Sequence, residues 1–158
     1  MAVLSTALAT LALAAAAPNG CGATEAGVLV RLERSDGATF EDHLAVCRDR
    51  RAAVRFRRAG GSTVCRAFVL SPPRFADLRN ALDAARFAQL QFAYVTRPPP
   101  ARVIAYVVRY RNRSVAADNV ALSKHAAPAR FIRLVRLLAS TTDAALAKRP
   151  RLKTTRCR

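Results

Sequence analysis

The sequence is poor in the side chains that most catalysis needs. It has two histidines, His43 and His125, and ten acidic residues among 158. A Ser, Cys or Thr nucleophile needs a positioned base beside it, and neither histidine lies in a recognisable motif: His43 falls in a strand-like stretch and His125 in a linker. The adjacent carboxylates Glu41 and Asp42 point to opposite faces if they lie in a strand, which excludes them as a shared acid/base pair. There is no close CxxC pair and no cluster of His, Cys or carboxylate at metal-ligand spacing. No glycine-rich loop precedes a helix to cradle phosphate, since Gly60-Gly61 falls between two strand-like stretches. After the first residues no apolar run approaches the length of about 20 residues that crosses a membrane. No internal repeat is present. These absences predict a chain that binds rather than catalyses, with no cofactor and no metal.

What the sequence has in excess is positive charge, with 27 Lys plus Arg giving a formal +17, and 24 of the 27 are arginine. Such a balance favours acidic partners: acidic proteins, anionic lipid headgroups, wall polymers, nucleic acid. Nucleic acid is disfavoured, because aromatic stacking groups or a recognition helix usually accompany it and Phe56 is expected to point inward. Residues Met1 to Ala17 carry no charge and run through Leu11-Ala12-Leu13-Ala14-Ala15-Ala16-Ala17, the apolar region of an export signal. The reading is of residues 1–20 as a signal peptide or lipoprotein leader, with Cys21 as a candidate lipidation site. That makes the protein secreted or cell-envelope associated, and touching the membrane only through such an anchor.

Secondary structure follows from periodicity. Gly27 to Arg34 alternates and is stopped by Ser35-Asp36-Gly37. Phe40 to Cys47 is a second strand, Arg48 to Arg51 a turn. Ala52 to Arg57 has Ala52, Val54 and Phe56 on one face and Arg55 and Arg57 on the other. Gly60-Gly61 suits positive φ in a loop, and Ser62 to Leu70 returns with Val64, Phe68 and Leu70 on a common face. Ser71-Pro72-Pro73 opens a helix, Ser71 as cap, with Phe75, Leu78, Leu82 and Ala85 recurring at helical spacing. Arg97-Pro98-Pro99-Pro100 is a stiff connector. Val103 to Tyr110 is a strand, Arg111 to Arg113 its turn, Ser114 to Ala117 the return. A second helix starts near Pro128 and buries Phe131, Leu134, Val135 and Leu138. The order β-β-β-β-α-β-β-α predicts an α+β domain over 27–140, with an antiparallel sheet of about six strands and two helices on one face. A C-terminal tail over 141–158 follows, and its stretch Lys148–Arg158 holds six basic residues and no acid.

Two further expectations concern the middle of the chain. A meander would gather Arg48, Arg50, Arg51, Arg55, Arg57, Arg58 and Arg66 into one positive patch, a candidate surface for an anionic polymer or lipid. In the same meander Cys47 and Cys65 lie two strands apart, about 9.5 Å sideways. Bridged Cα atoms sit within about 7 Å, so those two are not expected to pair with each other. Full oxidation would join Cys21 and Cys157 to them, in either order. Asn112-Arg113-Ser114 fits the glycosylation triplet, which has meaning only in a eukaryotic secretory pathway.

Four stretches carry a family resemblance: Glu33-Arg34-Ser35-Asp36-Gly37, Leu70-Ser71-Pro72 with Leu78, Leu82 and Phe87, Tyr106-Val107-Val108-Arg109-Tyr110 to Val115, and Pro128 with Leu134 and Leu137-Leu138. Over Gly27 to about Leu138 the chain resembles small actinobacterial proteins similar to emfourin, the proteinaceous inhibitor of thermolysin-type metalloproteases. The resemblance implies slow-dissociating binding to a metalloprotease and points to Arg34, Ser35, Asp36 and Gly37 as the protease-facing loop. The chain departs from the family pattern there, with Asp36 in the first glycine place and Phe40-Glu41 following. It also has an extra central hairpin and the cysteines.

Overall fold

The computed structural model describes residues 27–98 and 100–147. The candidate leader, Cys21 and the stretch 148–158 lie outside the described residues. The described chain forms an α+β domain with β1 (Val28–Ser35), β2 (Phe40–Cys47), β3 (Arg51–Arg58), β4 (Val64–Val69), α1 (Pro72–Ala85), β5 (Ala93–Tyr94), β6 (Ala105–Tyr110), β7 (Arg113–Asp118), α2 (Asn119–Ser123) and α3 (Ala129–Ala147). The sheet order is β4-β3-β2-β1-β6-β7-β5, and every pairing is antiparallel except the short β5 against β7.

Register explains why one face is dry. Val115, Val108, Leu32, Leu44 and Val54 are partners in one row across five strands, and each is essentially fully buried. A two-residue period puts their neighbours on the opposite face, so the row turns an apolar surface toward α1 and α3. The helices complete it with Leu78, Leu82 and Ala85 from α1 and Phe131, Leu134, Val135 and Leu138 from α3. Phe131 sits at the centre, edge-on to Phe87 with ring centroids 6.2 Å apart and beside Tyr94 at 5.8 Å. Truncating it to alanine removes about 3–5 kcal/mol, a large share of the roughly 5–15 kcal/mol by which domains are stable.

The structure refines the expectation in four places. Ser71 is the N-cap of α1, yet its hydroxyl makes no capping bond. A cap serves the N–H of N2 or N3, and Pro73 leaves N2 without one. Of the two central glycines only Gly60 takes positive φ, at 69°. The stretch after β7 forms α2, whose N-cap Asp118 accepts from the Ala121 amide at 2.6 Å. Finally, the boundary expected at 140/141 moves to Ala147, because α3 continues through residues 141–147. Thr141 and Thr142 are buried there and return their hydroxyls to the Leu137 and Leu138 carbonyls, so neither hydroxyl is left unpaired by its burial.

Candidate functional site

The candidate loop residues do not act alike. Arg34 lies on the helix side of β1 and faces Asp42, its cross-strand partner. The guanidinium donates from Nε to Asp42 Oδ1 at 3.0 Å and from Nη2 to Oδ2 at 2.7 Å, and Nη2 also reaches Asp143 of α3 at 2.7 Å. Burial works against the Arg34 charge, but its bonds to Asp42 and Asp143 more than offset that and raise its pKa. Burial also dominates at Asp42, which is 1% exposed, and pushes its carboxyl up in spite of Arg34. Arg34 is therefore a strut between sheet and helix, turned away from any partner that approaches the loop.

Asp36 and Gly37 do form the exposed hairpin tip. Asp36 Oδ1 accepts from the amides of Ala38, Thr39 and Phe40 at 3.0, 2.7 and 3.0 Å, and Oδ2 accepts from the Thr39 hydroxyl. The Thr39 hydroxyl bond and the backbone bonds hold the Asp36 carboxyl far below the ordinary carboxylate range. Ser35 Oγ accepts from the Gly37 amide, and Gly37 sits at φ 76°, where a side chain would be strained. The tip is thus fixed by its own side chains. Its neighbour across a shallow concavity of about 400 Å³ is the Ala59–Gly61 turn.

The expected positive patch is divided. Arg55 and Arg57 lie on the face away from the helices, but Glu41 is there with them: Arg57 Nη2 donates to Glu41 Oε2 at 2.9 Å, and Arg55 approaches Oε1 at 3.8 Å. His43 Nε2 contacts Glu41 as well, and this contact comes first in lowering the Glu41 pKa, with Arg57 adding to it. Arg51 pairs with Asp49 at 2.7 Å. Arg58 stacks over Phe56, 5.7 Å from its ring centroid. Arg66 contradicts the expectation. It pairs with Val54, so it takes the β4 place in the buried row and points to the helix side. There Nη1 donates to the Ala145 and Leu146 carbonyls at 2.8 and 2.6 Å, neutralising the partly negative C-terminus of α3. Its parity with Val64 and Phe68 carried that signal in the sequence.

Other arginines are spent in the same way. Arg130 donates to the Ala85 carbonyl at the end of α1 at 3.1 Å, and Arg74 to Ser140 and Thr141 of α3. Part of the +17 is accordingly internal framing.

A second group of arginines lies elsewhere among the described residues. Arg31, Arg48, Arg109, Arg111 and Arg113 line a concavity of about 590 Å³ at the end of the sheet where β1 begins and the β6–β7 hairpin turns, and among the described residues no carboxylate lines it. The strand-turn-strand geometry builds it: Arg31 and Arg109 are cross-strand partners, Arg111 sits in the tight turn at φ 55°, and Arg113 opens β7 opposite Tyr110. Aromatic faces hold two of them, Arg111 over Tyr110 at 5.2 Å and Arg113 over Phe92 at 5.1 Å. Phe92 is itself 76% exposed. Arg113 also donates to the Leu90 carbonyl at 3.0 Å, and Arg109 pairs with Glu33 at 3.1 Å at the margin. Of these five only Arg48 was placed in a patch from sequence, although the alternating Arg109, Arg111 and Arg113 across a hairpin turn was a readable signal.

Among the described residues no group of three or more His, Cys, Asp or Glu is placed to hold a metal ion, and no described helix is long and apolar enough to cross a membrane. His125, at φ 55° after α2, joins no side-chain cluster among the described hydrogen bonds. No family model matches the chain, and no curated protein matches it.

Proposed function

We propose that this protein is a non-catalytic binding module of the cell exterior that engages an anionic partner through the arginine basin. The observation that carries the proposal is the lining itself: among the described residues Arg109, Arg111 and Arg113 of the β6–β7 hairpin gather with Arg31 and Arg48 around one concavity that no described carboxylate lines, and the Arg109–Glu33 pair stands at its margin. Guanidinium groups stacked on Tyr110 and Phe92 are pre-oriented, and a planar fork binds phosphate or carboxylate oxygens two at a time. The matching partner is a repeating polyanion of the cell envelope, with anionic lipid as the other source of the same chemistry.

The test is a titration of the full chain against a polyol-phosphate wall polymer and, separately, against vesicles containing phosphatidylglycerol, at low and high salt. Exposed charges are screened over about 10 Å at 0.1 M ionic strength, so the apparent affinity falls by at least tenfold with added salt. The double variant R109E/R111E abolishes it, whereas R55E/R57E on the Glu41-neutralised face leaves it within about twofold. Equal loss in both variants would assign binding to net charge alone and sink the basin.

A second reading is favoured by the locked hairpin tip and by the resemblance to metalloprotease inhibitors. A loop already fixed before binding loses less entropy on docking, and Asp36 supplies that fixation. Slow-onset inhibition of a thermolysin-type protease, weakened by D36A, is its expected outcome. Absence of inhibition across a panel of such proteases removes it.

A further inference from the structure

Phe92 is the most exposed large hydrophobic side chain among the described residues, at 76%, and its backbone is firmly held. The Ala116 amide of β7 donates to the Phe92 carbonyl at 2.9 Å. The Gln91 amide donates to the Tyr94 hydroxyl at 3.0 Å, and Arg113 donates to the Leu90 and Ala88 carbonyls at 3.0 and 3.3 Å. Phe87, Leu90 and Tyr94 are buried on either side of Phe92 in the chain. The segment is therefore fastened to the domain while the Phe92 ring is turned to water, outside the core cluster.

The ring stands at the rim of the arginine basin. Arg113 stacks on it at 5.1 Å from the centroid. β5 runs parallel to β7 with Ala93 opposite Ala116, so Phe92 lies toward the β6–β7 turn, the end of the sheet that carries Arg109 and Arg111. Among the described residues neither Arg111 nor Arg113 forms an ion pair with a carboxylate.

Charge and apolar area together choose the occupant. A second copy of this chain, itself at +17, is repelled. The other exposed large hydrophobics are distant: Val69 ends β4 at the opposite edge of the sheet, and Val95 follows Tyr94 toward the far end of β7. One ring is little apolar surface for a protein interface, whose centre carries several buried anchors. An anionic bilayer asks for less: cationic side chains meet its phosphates, an apolar group enters the acyl boundary, and two weak signals add on one surface.

We propose that Phe92 is an interfacial anchor, inserted among the acyl chains of an anionic membrane while Arg109 and Arg111 contact the headgroup phosphates. This rests on the basin reading above and selects lipid as the source of its anions.

The experiment uses the full chain, phosphatidylglycerol vesicles and a soluble polyol-phosphate polymer. The sequence contains no tryptophan, so F92W places a single fluorescent reporter at the rim. Its emission is expected to shift to the blue on vesicles and to be quenched by lipids brominated on their acyl chains. F92S is expected to weaken vesicle binding by about fivefold or more and polymer binding by less than about twofold. F92L, which keeps an apolar side chain, restores most of the vesicle affinity. Vesicle binding that F92S leaves unchanged, an F92W emission that vesicles do not move, or an equal loss toward polymer and vesicles would each overturn the anchor. In those cases loss of binding in R109E/R111E still supports the basin. Wild-type protein that binds neither ligand, or an R109E/R111E variant that binds both as well as wild type, removes the basin and the anchor with it.

Discussion

Replacing Arg34 by methionine isolates the price of one buried carboxylate. Methionine preserves much of the side-chain volume and deletes the three bonds to Asp42, which is 1% exposed, and the one to Asp143, which is 64% exposed. Breaking a buried pair by removing one partner costs about 3–5 kcal/mol, because the other charge stays behind without compensation. Asp143→Asn, which removes only the exposed arm of the cluster, costs under about 1 kcal/mol. With a urea slope of about 2 kcal/mol per molar, R34M shifts the unfolding midpoint down by about 1.5–2.5 M and D143N by less than about 0.5 M. The pH dependence follows from Asp42, whose carboxyl is pushed up by burial and only partly restrained by Arg34. A folded pKa above the unfolded one means the folded state takes up its proton first as pH falls. The stability so gained is complete below the unfolded pKa and is lost as pH rises through the folded one. Without Arg34 the Asp42 pKa rises further, so the penalty of R34M is largest at neutral pH and shrinks on acidification. Equilibrium urea unfolding at pH 7 and pH 4.5 reads both quantities. A loss in R34M no greater than in D143N, or one that is the same at both pH values, refutes the assignment of Arg34 as the strut of this domain.

Three other outcomes are expected. D118A removes the cap on α2 together with both bonds to Thr96 and lowers stability by about 2–3 kcal/mol in urea unfolding. Burial opposes ionisation of Asp118, but the Thr96 and Ala121 amides outweigh it and depress its pKa, so its contribution is present above the unfolded pKa and is lost as pH falls through the folded one. That decline in acid is absent in D118A. R66A strips the α3 C-terminus of its charged cap and costs about 1–3 kcal/mol, while R55A on the opposite face changes the midpoint little; a reversed order would place Arg66 on the wrong side of the sheet. G37A forces a side chain into φ 76° and costs about 1 kcal/mol, while G61A, where φ is not positive, costs less by the same thermal or urea measurement.

Much of the fold was legible because local pattern and tertiary role agree. The alternation in Ala52–Arg57 named the inward face of β3 correctly, and the spacing of Phe131, Leu134, Val135 and Leu138 named the buried stripe of α3. The short elements were harder: β5 has two residues and gains its hydrogen bonds only from β7, so nothing in its own sequence demands a strand. α2 left one clue, Asp118 ahead of an apolar run, as caps do. The candidate surface was the least legible part. Sequence proximity grouped Arg55 and Arg57 with Arg66, while the pleat sends Arg66 to the opposite face and Glu41 to the side of the other two.

By itself, then, the sequence determined the α+β class, the two long helices, the inward apolar row and the excess of arginine, because each is written in periodicity or composition that acts over a few residues. Only the tertiary structure decided what the arginines do. Cross-strand register and helix ends convert Arg34, Arg66 and Arg130 into internal struts and caps, and bring Arg31 of β1 beside Arg109, Arg111 and Arg113 of a hairpin about eighty residues later. Coulomb energy depends on distance through space and on what else lies within a few ångströms, and neither quantity exists until the strands are paired.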